Sequence, residues 1–177
     1  MKLYIVCLAC YNENRTTGQW FDTGGFSSSK ELEKAIDEST EVCGCKHLNH
    51  EEIAIHDFEG FPKNMGEYTS IETIFEYLDV MNEIGNEDAT KALAEFFFTI
   101  QDFLRDYKDY FYCGKYSKGD YAYELEIDRH GEETRQFIEN NVSYIDFDAI
   151  EDNEYRNNGY LFLDSSEYGK RHVFSPS

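Results

Sequence analysis

Ile71, Ile74, Phe75, Leu78 and Met81 recur at i, i+3, i+4 and i+7, and Glu72, Glu76, Asp79 and Glu83 fall between them. That double pattern demands a helix with one apolar face, because no strand sorts these residues onto separate sides. At 100° per residue the acids fall within about 60° of one another, and neighbours are roughly 4.5 to 6 Å apart along the axis. No Lys stands four residues after any of them, so the salt-bridged surface usual for an exposed helix is missing. Most acidic rows are plain solvated faces. The absent partners set this one apart, since unpaired like charges cost stability.

The row belongs to a wider imbalance. The 177 residues hold 36 Asp and Glu against 16 Lys and Arg, a formal net charge of −20. Of this, −8 lies in residues 67–109 and −10 in residues 120–154, so the charge is localised. Affinity for DNA or RNA comes from Lys and Arg neutralising phosphate, so the chain is expected to bind no nucleic acid. Anionic membrane surfaces are disfavoured for the same reason. Fourteen Phe, fourteen Tyr and Trp20 supply a core that a disordered acidic tail would lack. The longest apolar run, Leu3 to Cys10, is far too short to span a membrane. Five cysteines, an odd number, read as mostly free thiols in a reducing, cytoplasmic compartment.

The pattern of elements predicts an α+β fold, an elongated chain of three small subdomains. Residues 1–66 read as strand, strand, helix, strand: Leu3 to Cys10, Gln19 to Asp22, a helix capped at Ser27-Ser28-Ser29 with Glu31 completing a capping box, and Glu52 to Phe58 in strict alternation. Residues 67–106 read as helical. Ser70 caps the first helix, and Ala89 to Leu104 form one broad apolar stripe. Residues 107–177 read as α+β. Asp109 to Cys113 is expected as a strand and Gly114 to Gly119 as a loop. Asp120 to Asp128 leans to helix, Glu132 to Asn140 is helical, and 143–150 is a short helix or turn. A closing hairpin spans 159–174.

Few residues point to chemistry. Cys43, Cys45, His47 and His50 have ligand types that suit zinc, but C-x-C is not a usual finger spacing. Cys7 and Cys10 form a C-x-x-C that a continuous strand would split between opposite faces. The expectation is therefore no metal and no cofactor. No Gly-x-Ser-x-Gly, P-loop, GxGxxG or His-Glu-x-x-His occurs. His56 and Asp57 are adjacent in a strand, so their side chains diverge. No catalytic residue is assigned, and the chain is not expected to be an enzyme.

Several runs carry a resemblance. Tyr4-x3-Leu8-x2-Tyr11-Asn12, Gly18-x-Trp20-x-Asp22 and Glu52-x-Ala54-Ile55-His56-Asp57-Phe58-Glu59-Gly60-Phe61 follow one another. Glu67-Tyr68-Thr69-Ser70-Ile71 and Ser143-Tyr144-Ile145-Asp146-Phe147-Asp148 come after them. In this order, over nearly the whole chain, they resemble the ArdA antirestriction proteins. The run from Ala54 to Phe61 is the most specific.

The resemblance implies a protein of mobile genetic elements that mimics bent B-form DNA. It implies an elongated homodimer that competitively blocks the DNA groove of type I restriction–modification enzymes, at the methyltransferase core. The carboxylates that would stand for phosphates are Glu72, Glu76, Asp79, Glu83, Asp102, Asp106, Glu124, Glu126, Asp128, Glu132 and Glu133. The family's dimer contact would fall on Tyr110, Phe111, Tyr112 and Cys113. Departures are the Cys/His-rich stretch after Cys43 and a slightly basic tail from Arg156. The alternatives are an acidic adaptor that binds a basic protein without displacing DNA, and a metal- or carboxylate-dependent hydrolase.

Overall fold

Two three-stranded antiparallel sheets organise the chain, each with its own helices, in an α+β fold. The structure is a computed structural model that describes residues 1–13, 18–43 and 52–177. It divides into two compact units. Unit 1 comprises Met1–Gly85 and Phe97–Leu104, and unit 2 comprises Asn86–Phe96 and Arg105–Ser177. The stretch 67–106 thus contributes to both.

In unit 1 the central strand is β1 (Lys2–Cys7), flanked by β2 (Gln19–Asp22) and β3 (Ile53–Glu59). The apolar run expected to continue as strand to Cys10 instead turns at Cys7 into a short helix, α1 (Leu8–Asn12). The turn falls where Leu8 and Ala9, good helix formers, follow the last paired residue. Strict alternation in β3 also fails. Tyr4 faces Asp57 but Ile5 faces Ile55, so a bulge at His56 breaks the register. Ala54 and Ile55 are both buried as a result.

Helix α2 (Ser29–Glu38) starts as the sequence predicts. Ser28 Oγ accepts the Glu31 amide at 3.4 Å, and Glu31 Oε2 accepts the Ser27 amide at 2.7 Å. Helix α3 (Ile71–Ile84) is capped by Ser70, whose Oγ accepts the Thr73 amide at 3.1 Å. It buries Ile71, Ile74, Tyr77 and Val80, while Phe75, Leu78 and Met81 are half-buried. Tyr77 is the pivot of the core, with its ring centroid 5.9 Å from both Phe61 and Phe103.

The single helix expected from Ala89 to Leu104 is two helices, α4 (Glu87–Phe96) and α5 (Ile100–Asp106). Thr99 makes the break. Its Oγ1 accepts the Asp102 amide at 3.1 Å, capping a new helix that an uninterrupted one would not permit. The rings before it diverge. Phe97 packs 6.0 Å from Phe103, and Phe98 is 92% exposed.

In unit 2 the sheet order is β4 (Tyr110–Ser117), β6 (Lys170–Pro176), β5 (Leu161–Asp164). Strand β4 runs three residues beyond Gly114, where a loop was expected. A register shift between Tyr112 and Gly114 makes Cys113 the extra residue, and Gly114 lies at φ 143°. Helices α6 (Asp120–His130), α7 (Glu132–Asn141) and α8 (Phe147–Asn158) follow. The last is longer than expected and is capped by Asp146, which accepts the Ala149 amide at 3.1 Å. Gly119, before α6, is required as glycine. It lies at φ 87°, and a Cβ there would sit 3.0 Å from Phe147 Cβ.

Candidate acidic interface

Helix α3 turns Glu72, Glu76, Asp79 and Glu83 outward, and all are exposed. Its buried side is Ile71, Ile74, Tyr77 and Val80, so the acidic row follows directly from the amphipathic pattern. Among the described residues, no Lys or Arg forms an ion pair with Glu76 or Asp79.

The row has a neighbour that the sequence pattern did not include. Glu33 of α2 meets Glu72 in a carboxyl–carboxyl hydrogen bond. Partial burial, then that hydrogen bond and the Glu72 charge, push the Glu33 carboxyl above its ordinary range, with Asp37 adding to the effect. Glu72 is held below its ordinary range, first by its own amide at the open start of α3 and next by Glu33. The interaction thus disfavours the Glu33 anion and favours the Glu72 anion. Sequence periodicity within one helix does not reveal an acid delivered by another.

Beyond α3 the predicted carboxylates divide. In unit 2, Glu124, Asp128, Glu132 and Glu133 are exposed along α6 and α7. Glu132 pairs with Arg135 at 3.0 Å. Glu126 is half-buried between Arg129 at 3.8 Å and His130 at 3.6 Å. Asp106 is held by both guanidinium nitrogens of Arg105, at 2.8 and 2.6 Å. Asp102, in unit 1, accepts the Thr99 hydroxyl at 2.7 Å as part of the α5 cap. These four are partly neutralised or engaged in structure.

Three further acids of unit 2 are internal supports. Glu154 is 1% exposed and binds Arg129 through two bonds of 2.6 and 2.7 Å. Arg129 holds its carboxyl below the ordinary range against the opposing effect of burial. Glu151, also buried, takes the Gly119 amide at 2.8 Å and a contact from Arg171. Asp88 accepts the Ser165 hydroxyl at 2.7 Å, and its Oδ2 lies 2.7 Å from His172 Nε2. Burial disfavours the Asp88 anion, but hydrogen bonds from His172, Ser165 and Ser166 outweigh it and hold the carboxyl well below its ordinary range. Asp, His and Ser suggest a triad by type alone. Here Ser165 bonds to the aspartate, while the other histidine nitrogen faces the Tyr112 hydroxyl at 3.0 Å. No serine is bonded to the base, so the cluster is a strut between α4 and the sheet.

Of the residues assigned to a dimer contact, Phe111 is 61% exposed, and Tyr110, Tyr112 and Cys113 are half-buried. Tyr112 is turned inward to His172 and Phe174. Of the candidate metal ligands, Cys43 is buried, and Cys45, His47 and His50 lie outside the described residues. Among the described residues, no helix is long and apolar enough to cross a membrane.

The family model described as antirestriction protein (ArdA) matches residues 3–166. The chain belongs to the ArdA family. Its function is accordingly antirestriction, and the family implies interaction with restriction–modification enzymes. No curated protein matches the chain. The stretches that resembled ArdA in sequence are built around close contacts. A Cβ on Gly18 would lie 2.6 Å from the Tyr4 ring, which packs 5.4 Å from Trp20. The bulge turns His56 to Glu67 at 3.3 Å and to the Tyr11 ring at 4.7 Å. In these contacts Tyr4, Gly18, Trp20 and His56 are architectural.

Proposed function

We propose that the chain is a DNA mimic that competes with duplex DNA for the binding groove of type I restriction–modification enzymes. The observation that carries this reading is the outward row Glu72, Glu76, Asp79 and Glu83, with no cation paired to its middle members and Glu33 beside its first. Spacings of roughly 4.5 to 6 Å along the axis suit cationic pockets built for a phosphate backbone. Glu124, Asp128 and Glu133 add exposed charge on unit 2. A field of this sign steers the protein to a Lys- and Arg-lined groove and weakens with salt.

The active species is a homodimer joined through β4. That strand is an edge of its sheet, and Phe111 stands exposed on it. An unpaired edge with an apolar side chain favours pairing with a second copy.

The deciding experiment is titration of a type I methyltransferase–DNA complex with the protein, following release of labelled DNA. Stoichiometric release that diminishes with added salt is expected. A ternary complex that retains its DNA would establish the adaptor alternative in its place.

A further inference from the structure

Three cysteines distant in sequence meet inside unit 1. Strand β1 ends on Cys7, the turn of α1 returns Cys10 beneath it, and Cys43 arrives from the segment after α2. Their sulfurs all lie within 4.8 Å of one another, and those of Cys10 and Cys43 are 3.2 Å apart. The residues are 3%, 0% and 6% exposed. A continuous strand would have separated Cys7 from Cys10. The helix that begins at Leu8 reverses that expectation. Cys10 is disulfide-bonded, whereas Cys7 is a free thiol.

We propose that the reduced cluster binds one zinc ion through the thiolates of Cys7, Cys10 and Cys43. Zinc–sulfur bonds of about 2.3 Å at tetrahedral angles put ligand sulfurs about 3.8 Å apart. The 3.2 Å pair and the 4.8 Å ceiling on all three lie either side of that value, so shifts of about an ångström complete the geometry. An all-sulfur donor set selects zinc and other thiophilic ions over magnesium or calcium. A reducing compartment does not maintain a disulfide, which leaves the Cys10 sulfur available as a ligand there.

The chemistry balances. A thiol reductant supplies two electrons and two protons to the Cys10 disulfide, giving two thiols. Zinc then displaces one proton from each of the three cluster thiols to solvent as three Zn–S bonds form. The fourth tetrahedral position takes water or one further donor. The ion ties β1 and α1 to the chain leaving α2. If the sulfurs served only as small apolar packing groups, no metal would be retained.

The test uses the full chain, purified under nitrogen with a phosphine reductant. Elemental mass spectrometry should find one zinc per chain. Exchange into cobalt(II) should give thiolate-to-cobalt charge-transfer absorption and the visible bands of tetrahedral cobalt. Cys7→Ser and Cys43→Ser should lose the metal, and Cys113→Ser, in β4, should keep it. If the first two variants do not fold, alkylation of the wild-type chain decides. Cys7, Cys10 and Cys43 should be protected by zinc and exposed by a chelator. A reduced wild-type chain that takes up no stoichiometric cobalt and shows no zinc-dependent protection overturns the proposal. So does full metal retention in both cluster variants, or a Cys10 disulfide that survives the reductant.

Discussion

Asp88 Oδ2 lies 2.7 Å from Nε2 of His172, a ring that is wholly buried in unit 2. With its carboxyl held ionised, Asp88 is an acceptor, so Nε2 carries the proton it receives. Nδ1 then accepts from Tyr112, whose hydroxyl in turn takes a bond from Asn86 at 3.3 Å. One direction of donation runs from the start of α4 into β6 and back.

Asp88→Ala should therefore destabilise unit 2 by about 2 kcal/mol, the cost of leaving a buried imidazole donor without its partner. The folded pKa of Asp88 lies below that of an unfolded aspartate, about 3.9. Its contribution is complete above that value and is lost as the pH falls through the folded pKa. Denaturant melts from pH 7 to pH 3 should show the variant losing less stability with acid than the wild type. Parallel curves would mean that the strut carries no charge-dependent energy.

The raised Glu33 carboxyl predicts the opposite slope. A carboxyl whose folded pKa is raised binds protons more tightly in the folded chain, so its effect is destabilising at neutral pH and fades on acidification. Glu33→Gln should stabilise the chain at pH 7, by a few tenths of a kcal/mol given the exposure of Glu72. The gain should shrink toward pH 4 in thermal melts.

Arg129→Met should cost about 3 kcal/mol, because it strands the buried Glu154 carboxylate. Asn158 still bonds Glu154 at 2.9 Å, which sets the value at the lower end of the range for such pairs. Chemical unfolding measures it. A loss under 1 kcal/mol would mean that water reaches Glu154.

On the α3 row, Glu76→Gln alone should weaken inhibition of the restriction enzyme less than about fivefold, since one exposed ion pair is worth at most about 1 kcal/mol. The combined Glu76→Lys, Asp79→Lys, Glu83→Lys variant should abolish it while retaining the circular-dichroism spectrum. Loss of all inhibition from the single neutral change would be incompatible with a distributed mimic.

Phe111→Asp should convert a dimer to a monomer in sedimentation while retaining the circular-dichroism spectrum, since the ring is exposed on the single chain. A dimer that survives the change places the contact away from β4.

Local rules carried much of this molecule. The capping box of α2, the Ser70 cap and acidic face of α3, the helix at Asp120 and the closing hairpin all follow from residues within one or two turns of each other. The misses share a different cause. The bulge at His56 and the end of β1 at Cys7 depend on how a strand is paired by a distant one. The break at Thr99 arises where one hydroxyl outweighs an apolar stripe that periodicity reads as continuous. For the acidic interface, α3 was legible because its row lies on one helix. Glu33 was not, and neither were the buried roles of Glu151 and Glu154, because a carboxylate inside the protein and one in water look alike in sequence.

The division of the chain has a genetic consequence. It passes from one unit to the other after Gly85, again after Phe96, and a third time after Leu104. A gene cut at any single codon cannot encode unit 1 complete and alone. A product ending at Gly85 would lack Ile100 and Phe103 and leave the Tyr77 ring bare on one side. Nonsense alleles that end the chain between Gly85 and Leu104 should therefore cost unit 1 part of its core as well as removing most of unit 2.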